Sequence, residues 1–310
     1  MSVRIGYMPG PFPQGKEGVK YLRDLVEVGD KYGYDSIWLS DRVVGERASP
    51  EPIVALSMVA AYSDRLKFGT SVLQLPIRNP VVLAKEMATL DYLSNGRFLP
   101  AIGLGQEDPR EYEACGVSKE SRAPRTDEAM TVMRRLWKED NVTHEGRFYT
   151  LHGVSINPKP VQVPSIPVWI GGRSTAAHQR VGRIGDGWLV SSATPREVGE
   201  GVEVIFSTAA EFGRKIDEDH IGALVGFFIA STQEKAASVA EPFITRARPD
   251  AHFTEYSALG TPEQVKDTIQ CYLEAGASKF VVRPMCPPQQ AIEQLELFGQ
   301  EVLPYFHKSL

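Results

Sequence analysis

The feature that most constrains this chain is a repeat. Eight times, a short apolar run is followed by a loop and then by a helical stretch with apolar residues at helical spacing. The predicted strands are Val3–Tyr7, Ser36–Ser40, Lys67–Leu73, Phe98–Gly103, Val168–Ile170, Trp188–Ser192, Leu224–Ala230 and Lys279–Arg283. Helix starts are marked by Pro50 and Pro52, Asn79-Pro80, Ser174, Pro195 and Thr261-Pro262. Strands that alternate with helices pair in parallel, because a parallel neighbour needs a crossover connection. Eight units predict an α/β protein, a (β/α)8 TIM barrel; a doubly wound sheet is the alternative, since periodicity does not reveal closure. Residues 141–167 break the rhythm with a hairpin pattern at Val142–Leu151 and prolines at 158, 160, 164 and 167. We read them as an insertion after strand four within one domain spanning residues 1–310.

Composition narrows the partners. A net charge of −5 supplies no basic field for nucleic acid or anionic membranes, so a small-molecule substrate is expected. No apolar run approaches the roughly 20 residues of a membrane span. Cys115, Cys271 and Cys286 are odd in number, widely spaced and outside any Cys-x-x-Cys pair, which fits a reducing cytoplasm.

In a barrel, chemistry sits just after the strands. That selects Asp41 and Arg42, Thr70 and Ser71, Gln106 and Glu107, and Arg173 and Ser174. Asp41 is either a functional carboxylate or a turn cap or ion-pair partner, and Arg42 either an anion clamp or an exposed loop residue. Gly103-Leu104-Gly105 lacks the full dinucleotide-binding spacing. Ile170-Gly171-Gly172-Arg173-Ser174-Thr175 says more. A strand runs through two glycines into a helix start, which offers free amides, two hydroxyls and an arginine to a phosphate; a structural cap is the alternative. The six histidines form no metal-ligand spacing and no Gly-x-Ser-x-Gly elbow occurs, so no metal is expected and a bound cofactor is left to carry the reaction.

The strand-three segment, with Asn79-Pro80, Ala84-Lys85, Ala88-Thr89-Leu90-Asp91, Leu93-Ser94, Gly96-Arg97 and Gly103-Leu104-Gly105, resembles the bacterial luciferase-like superfamily of flavin and deazaflavin oxidoreductases. Pro158-Lys159-Pro160, Pro167 to Gly172, Gly185-Asp186-Gly187-Trp188 and Gly260-Thr261-Pro262-Glu263 extend the resemblance along nearly the whole chain. It implies a ring across the barrel mouth, backed by a non-prolyl cis peptide between Ser71 and Val72. It implies cofactor contacts at Asp41, Thr70, Ser71, Val72 and Gln106, with the phosphate on Gly171, Gly172, Arg173, Ser174 and Thr175. Coenzyme F420 is the expected cofactor and FMN the alternative, the latter with a flavin reductase as partner and oxygen as co-substrate. Deazaflavin members commonly show Asp-His where this chain has Asp41-Arg42, and some carry a glutamate where it has Gln106-Glu107. Catalytic roles are therefore expected of Asp41, Gln106 and Glu107, with Glu107 the leading proton donor or acceptor. Tyr7, Met8, Leu73 and Leu75 are expected to shape the substrate pocket and Arg42 to meet an anionic substrate. A homodimer is the family expectation.

Overall fold

The computed structural model describes residues 3–244 and 248–307. β1 (Arg4–Tyr7), β2 (Ser36–Leu39), β3 (Lys67–Gln74) and β4 (Phe98–Gly103) pair in that order. A separate antiparallel hairpin follows, β5 (Val142–Glu145) with β6 (Thr150–Val154). The sheet resumes with β7 (Trp169–Gly171), β8 (Gly187–Ser191) and β9 (Ile221–Ile229). Then come β10 (Ser257–Gly260) and β11 (Lys279–Pro284), and β11 returns to β1. The β8–β9 pairing closes the ring, so the doubly wound alternative is excluded. Eight parallel strands make the barrel. β10 is an addition: β9 pairs with β8 through residues 221–224 and with β10 through residues 226–229.

The helical layer begins with α1 (Gly18–Tyr32), α2 (Pro52–Tyr62), α3 (Pro80–Leu93), α4 (Arg110–Ala114) and α5 (Arg122–Lys138). It continues through α6 (Thr175–Ile184), α7 (Pro195–Glu211), α8 (Gln233–Ala240), α9 (Pro262–Glu274), α10 (Pro288–Glu301) and α11 (Leu303–His307). Their starts follow the cap signals in the sequence. Asn79 accepts from the Val81 and Val82 amides, and Thr194 and Thr261 each close a capping box. The apolar spacing after β9 predicts a helix over residues 232–247, but α8 stops early because Pro242 lacks an amide hydrogen; a 3-10 turn over Glu241–Phe243 replaces its end, and residues 245–247 lie outside the described ones. Among the described residues no helix is long and apolar enough to cross a membrane.

Strand alternation separates two cores. Ile5, Tyr7, Ile37, Phe68, Ile102, Ile170, Val190 and Val282 face the helices, where burying each large side chain contributes about 2 kcal/mol. Met8, Trp38, Ala101, Trp169, Leu189 and Val281 fill the barrel, joined by partly buried Val72, Leu99 and Leu224. These side chains plug the barrel interior, and the candidate site lies above them at the strands' C-terminal ends.

Candidate active site

The third strand is irregular where it reaches the mouth. Its register with β4 shifts between Thr70 and Leu73, and the Ser71–Val72 peptide is cis, as the resemblance implies. Thr70 fastens the bulge, since its hydroxyl donates to Ala101 O at 2.7 Å and accepts from Ala101 N at 3.1 Å. Ser71 and Val72 are left partly exposed between buried neighbours. Gly103 and Gly171 stand beside Val72 on the adjoining strands. A Cβ at Gly103 would lie 2.5 Å from Val72 Cγ2, and one at Gly171 2.8 Å from Val72 Cγ1. The missing side chains make room for Val72, whose two methyls fill the space above both glycines and form a floor.

Beyond β7 the chain makes a cradle. Gly172 has φ +121°, and the α6 N-cap Ser174 accepts from Ala177 N at 3.3 Å. That leaves the first amides of α6, at exposed Thr175 and Ala176, pointing outward with the favourable end of the helix dipole. Arg173 is tethered beside them by a hydrogen bond to Ser192 O at 3.2 Å. Arg248 donates to the same carbonyl at 2.7 Å and also pairs with Glu197, whose carboxyl it holds down to about 2. Ser174 is therefore a helix cap, and the Thr175 and Ala176 amides beside it are left without a helical partner.

Asp41 is brought to the mouth but closed off. Its side chain is 1 % exposed, pairs with Arg78 at 2.8 Å and accepts from Gln74 N at 2.9 Å. Burial raises its carboxyl and Arg78 opposes that. Gln74 is the consequence that matters. It is buried, its amide nitrogen donates to Asp41 O at 3.3 Å, and its Oε1 has no partner among the described residues. An orphaned buried acceptor beside a glycine-lined floor is what a ring bearing N–H groups would satisfy, and the cradle beyond β7 suits a phosphate on the same molecule. The residues present fit a flavin-type cofactor.

Several expected roles need correction. Glu107 does not suit a proton donor: its carboxylate is 63 % exposed and paired with Arg122 at 2.8 Å and Lys119 at 3.0 Å, which pull it down to about 2 and keep it ionised at neutral pH. The Gln106 side chain is exposed at the mouth, while its carbonyl accepts from Tyr112 and Arg122. Arg42 faces Glu111, a buried carboxylate that also accepts from the Val43 and Val44 amides, so its charge is already compensated. Tyr7, Leu73 and Leu75 lie in the outer core and not in the pocket; the Tyr7 hydroxyl donates to Leu25 O at 2.6 Å. Met8, one residue on, does face the barrel interior. Gln74, Arg78 and Glu111 escaped sequence reading. Their partners are 33 to 69 positions away, and no local pattern flags them, since the bulge breaks the alternation of β3 before Gln74.

Known proteins resemble this chain along nearly its whole length. The family model for luciferase-like monooxygenases matches residues 3–300. An F420-dependent glucose-6-phosphate dehydrogenase of Kineococcus radiotolerans is 29% identical, over 97% of this chain and 96% of its own. Among solved structures, a monooxygenase from Streptomyces bottropensis superposes with a TM-score of 0.84 at 21% identity, covering 98% of this chain and 99% of its own. The F420-dependent tetrahydromethanopterin reductase of Methanopyrus kandleri gives 0.79 at 22%, covering 99% and 100%. The fold, the cis shelf and the nearly full-length match lead to one assignment: the chain belongs to the luciferase-like monooxygenase family.

Proposed function

We propose that this protein is a coenzyme F420-dependent oxidoreductase acting on a small organic substrate. The observation that carries this is the partly exposed Val72 floor between Gly103 and Gly171, together with the glycine-led helix start beyond β7. Bound F420 would supply a ring carbon that takes up or releases hydride. Val72 would support the ring's rear face, and Gln74 Oε1 would accept a hydrogen bond from it. Gly171, Gly172, Arg173, Ser174 and Thr175 would hold the phosphate through amides, hydroxyls and charge. Asp41 acts as a positioning residue, because its carboxylate fixes the Gln74 backbone and not the ligand. Thr70 positions the shelf in the same indirect sense. Gln106 is left as the exposed polar contact at the fourth strand's end, and Met8 as an apolar wall for the substrate.

The nearly full-length relative that carries F420 in its name supports F420 over FMN. The second reading, an FMN-dependent monooxygenase fed by a reductase, is favoured by the family description and by the Streptomyces neighbour. Fluorescence titration of the purified protein is expected to give tight F420 binding and weak FMN binding. Tight FMN binding with oxygen-dependent turnover would replace the first reading by the second.

A homodimer is proposed with it. α2 is apolar apart from exposed Ser57 and its terminal Tyr62, and Val54 on it and Val82 on α3 are exposed, so these outer faces would cover each other in a second copy. Sedimentation equilibrium should return twice the chain mass for the wild type and the single-chain mass for Val54→Glu; a monomeric wild type would refute the dimer.

A further inference from the structure

β11 alternates like the other barrel strands. Lys279 lies over the Trp38 ring and Val281 belongs to the interior cluster, while Phe280 and Val282 face the helices. Arg283 is therefore the next inward residue, opposite Gly226 of β9 and level with the mouth. It is 6 % exposed, and among the described residues its side chain makes a single hydrogen bond, from Nη2 to Phe243 O at 3.0 Å. No carboxylate among the described residues forms an ion pair with it. The charge nearest in effect is another cation, Arg47, exposed on the loop after β2; Arg47 too has no ion pair among the described residues. Burial and Arg47 together push the Arg283 guanidinium down to about 10.

The other buried cations are treated differently. Arg180 pairs with Asp127 at 2.7 Å, Arg248 with Glu197 and Asp250, and Lys279 with Asp35. A buried charge is ordinarily paired, and Arg283 is the exception. Its planar fork, with only Nη2 bonded among the described residues, suits the two oxygens of a carboxylate or phosphate.

We propose that Arg283 is an anion-binding subsite for the substrate, which carries a carboxylate or phosphate group. The proposal rests on the oxidoreductase reading above and adds the substrate's chemical class. It is separate from the cofactor cradle: from β11 the ring runs through β9 and β8 before reaching β7, where that cradle lies. It also takes over the role expected of Arg42, which Glu111 compensates.

The test is calorimetric titration with inorganic phosphate and with acetate, on the F420-saturated protein and on the protein alone. The F420-saturated wild type should bind at least one probe, and Arg283→Gln should weaken that binding by about 30-fold or more. Arg283→Lys, which keeps the charge but not the fork, should fall between. F420 affinity should be unchanged in both variants, which also shows that they are folded. If the F420-saturated wild type binds neither probe, or Arg283→Gln binds them as the wild type does, the subsite is refuted. If F420 itself fails to bind, the cofactor reading falls separately. The subsite then stands or falls on whether phosphate or acetate binding to the protein alone is lost in Arg283→Gln and kept in Arg173→Ala.

Discussion

Replacing Arg78 by methionine is expected to destabilise the protein by about 3 kcal/mol, more than any surface ion-pair change in the chain would. Arg78 answers two carboxylates, Asp41 at 2.8 Å and Glu51 at 2.9 Å. With methionine in its place the Asp41 carboxylate keeps only the Gln74 amide in a site almost closed to water. Burial already raises the Asp41 carboxyl against the pull of Arg78, so its loss raises it further. A folded-state pKa above the unfolded value gives stability that is fully present below the unfolded pKa, about 3.9, and lost as pH rises through the folded pKa. The deficit of Arg78→Met relative to wild type should therefore be greatest near neutral pH and shrink as pH falls towards 4. Urea unfolding across that range measures it. Adding Asp41→Asn to Arg78→Met should recover much of the loss, since the stranded charge is gone. A single variant as stable as wild type, or a deficit that grows at low pH, would show that the pair does not hold this corner of the mouth.

What the sequence shows of this molecule depends on how far apart the interacting residues lie. The Gly171–Thr175 cradle is legible because its parts are consecutive: two glycines, a cap and a helix start occupy one turn of chain. The eight strands are legible for the same reason, as runs of apolar residues with caps between them. β10 is not, because Ser257-Ala258-Leu259-Gly260 holds one large apolar residue and no β-branched or aromatic one. The pocket wall is half legible. Tyr7 and Met8 are adjacent on one strand, so alternation sends them to opposite faces and only one can line the barrel. Leu73 and Leu75 fail differently: the bulge at residues 70–73 resets the parity of β3, turning Val72 inward and both leucines outward. Asp41 was placed correctly at a strand end, but its role depends on Arg78, 37 positions on, and no local pattern encodes that pairing. Glu107 illustrates the limit from the other side. Its position after β4 is right for catalysis, yet Lys119 and Arg122 turn it into a solvated ion pair.

Gly103→Ala is the substitution expected to separate the shelf from the rest of the fold. Its Cβ would stand 2.5 Å from Val72 Cγ2, well inside contact distance, so Val72 must move. Rotation offers little relief, because the side chain is β-branched and its other methyl already fills the space above Gly171. The remaining direction is upward, into the mouth. The fold should tolerate this at about 1 to 2 kcal/mol, the usual range for a small overpacking. Ligand binding should not, since the displaced methyls enter the volume assigned to the ring; F420 affinity is expected to fall roughly 100-fold, as misplacements of about 1 Å commonly do. Val72→Ala in the same chain removes the obstructing methyls and should restore most of the affinity, which distinguishes a raised floor from general loosening. Fluorescence titration with F420 reads the affinity and urea unfolding reads the stability. If Gly103→Ala binds F420 as the wild type does, Val72 is not the floor of the cofactor site; if it loses stability and affinity together and Val72→Ala rescues neither, Gly103 supports the barrel rather than the shelf.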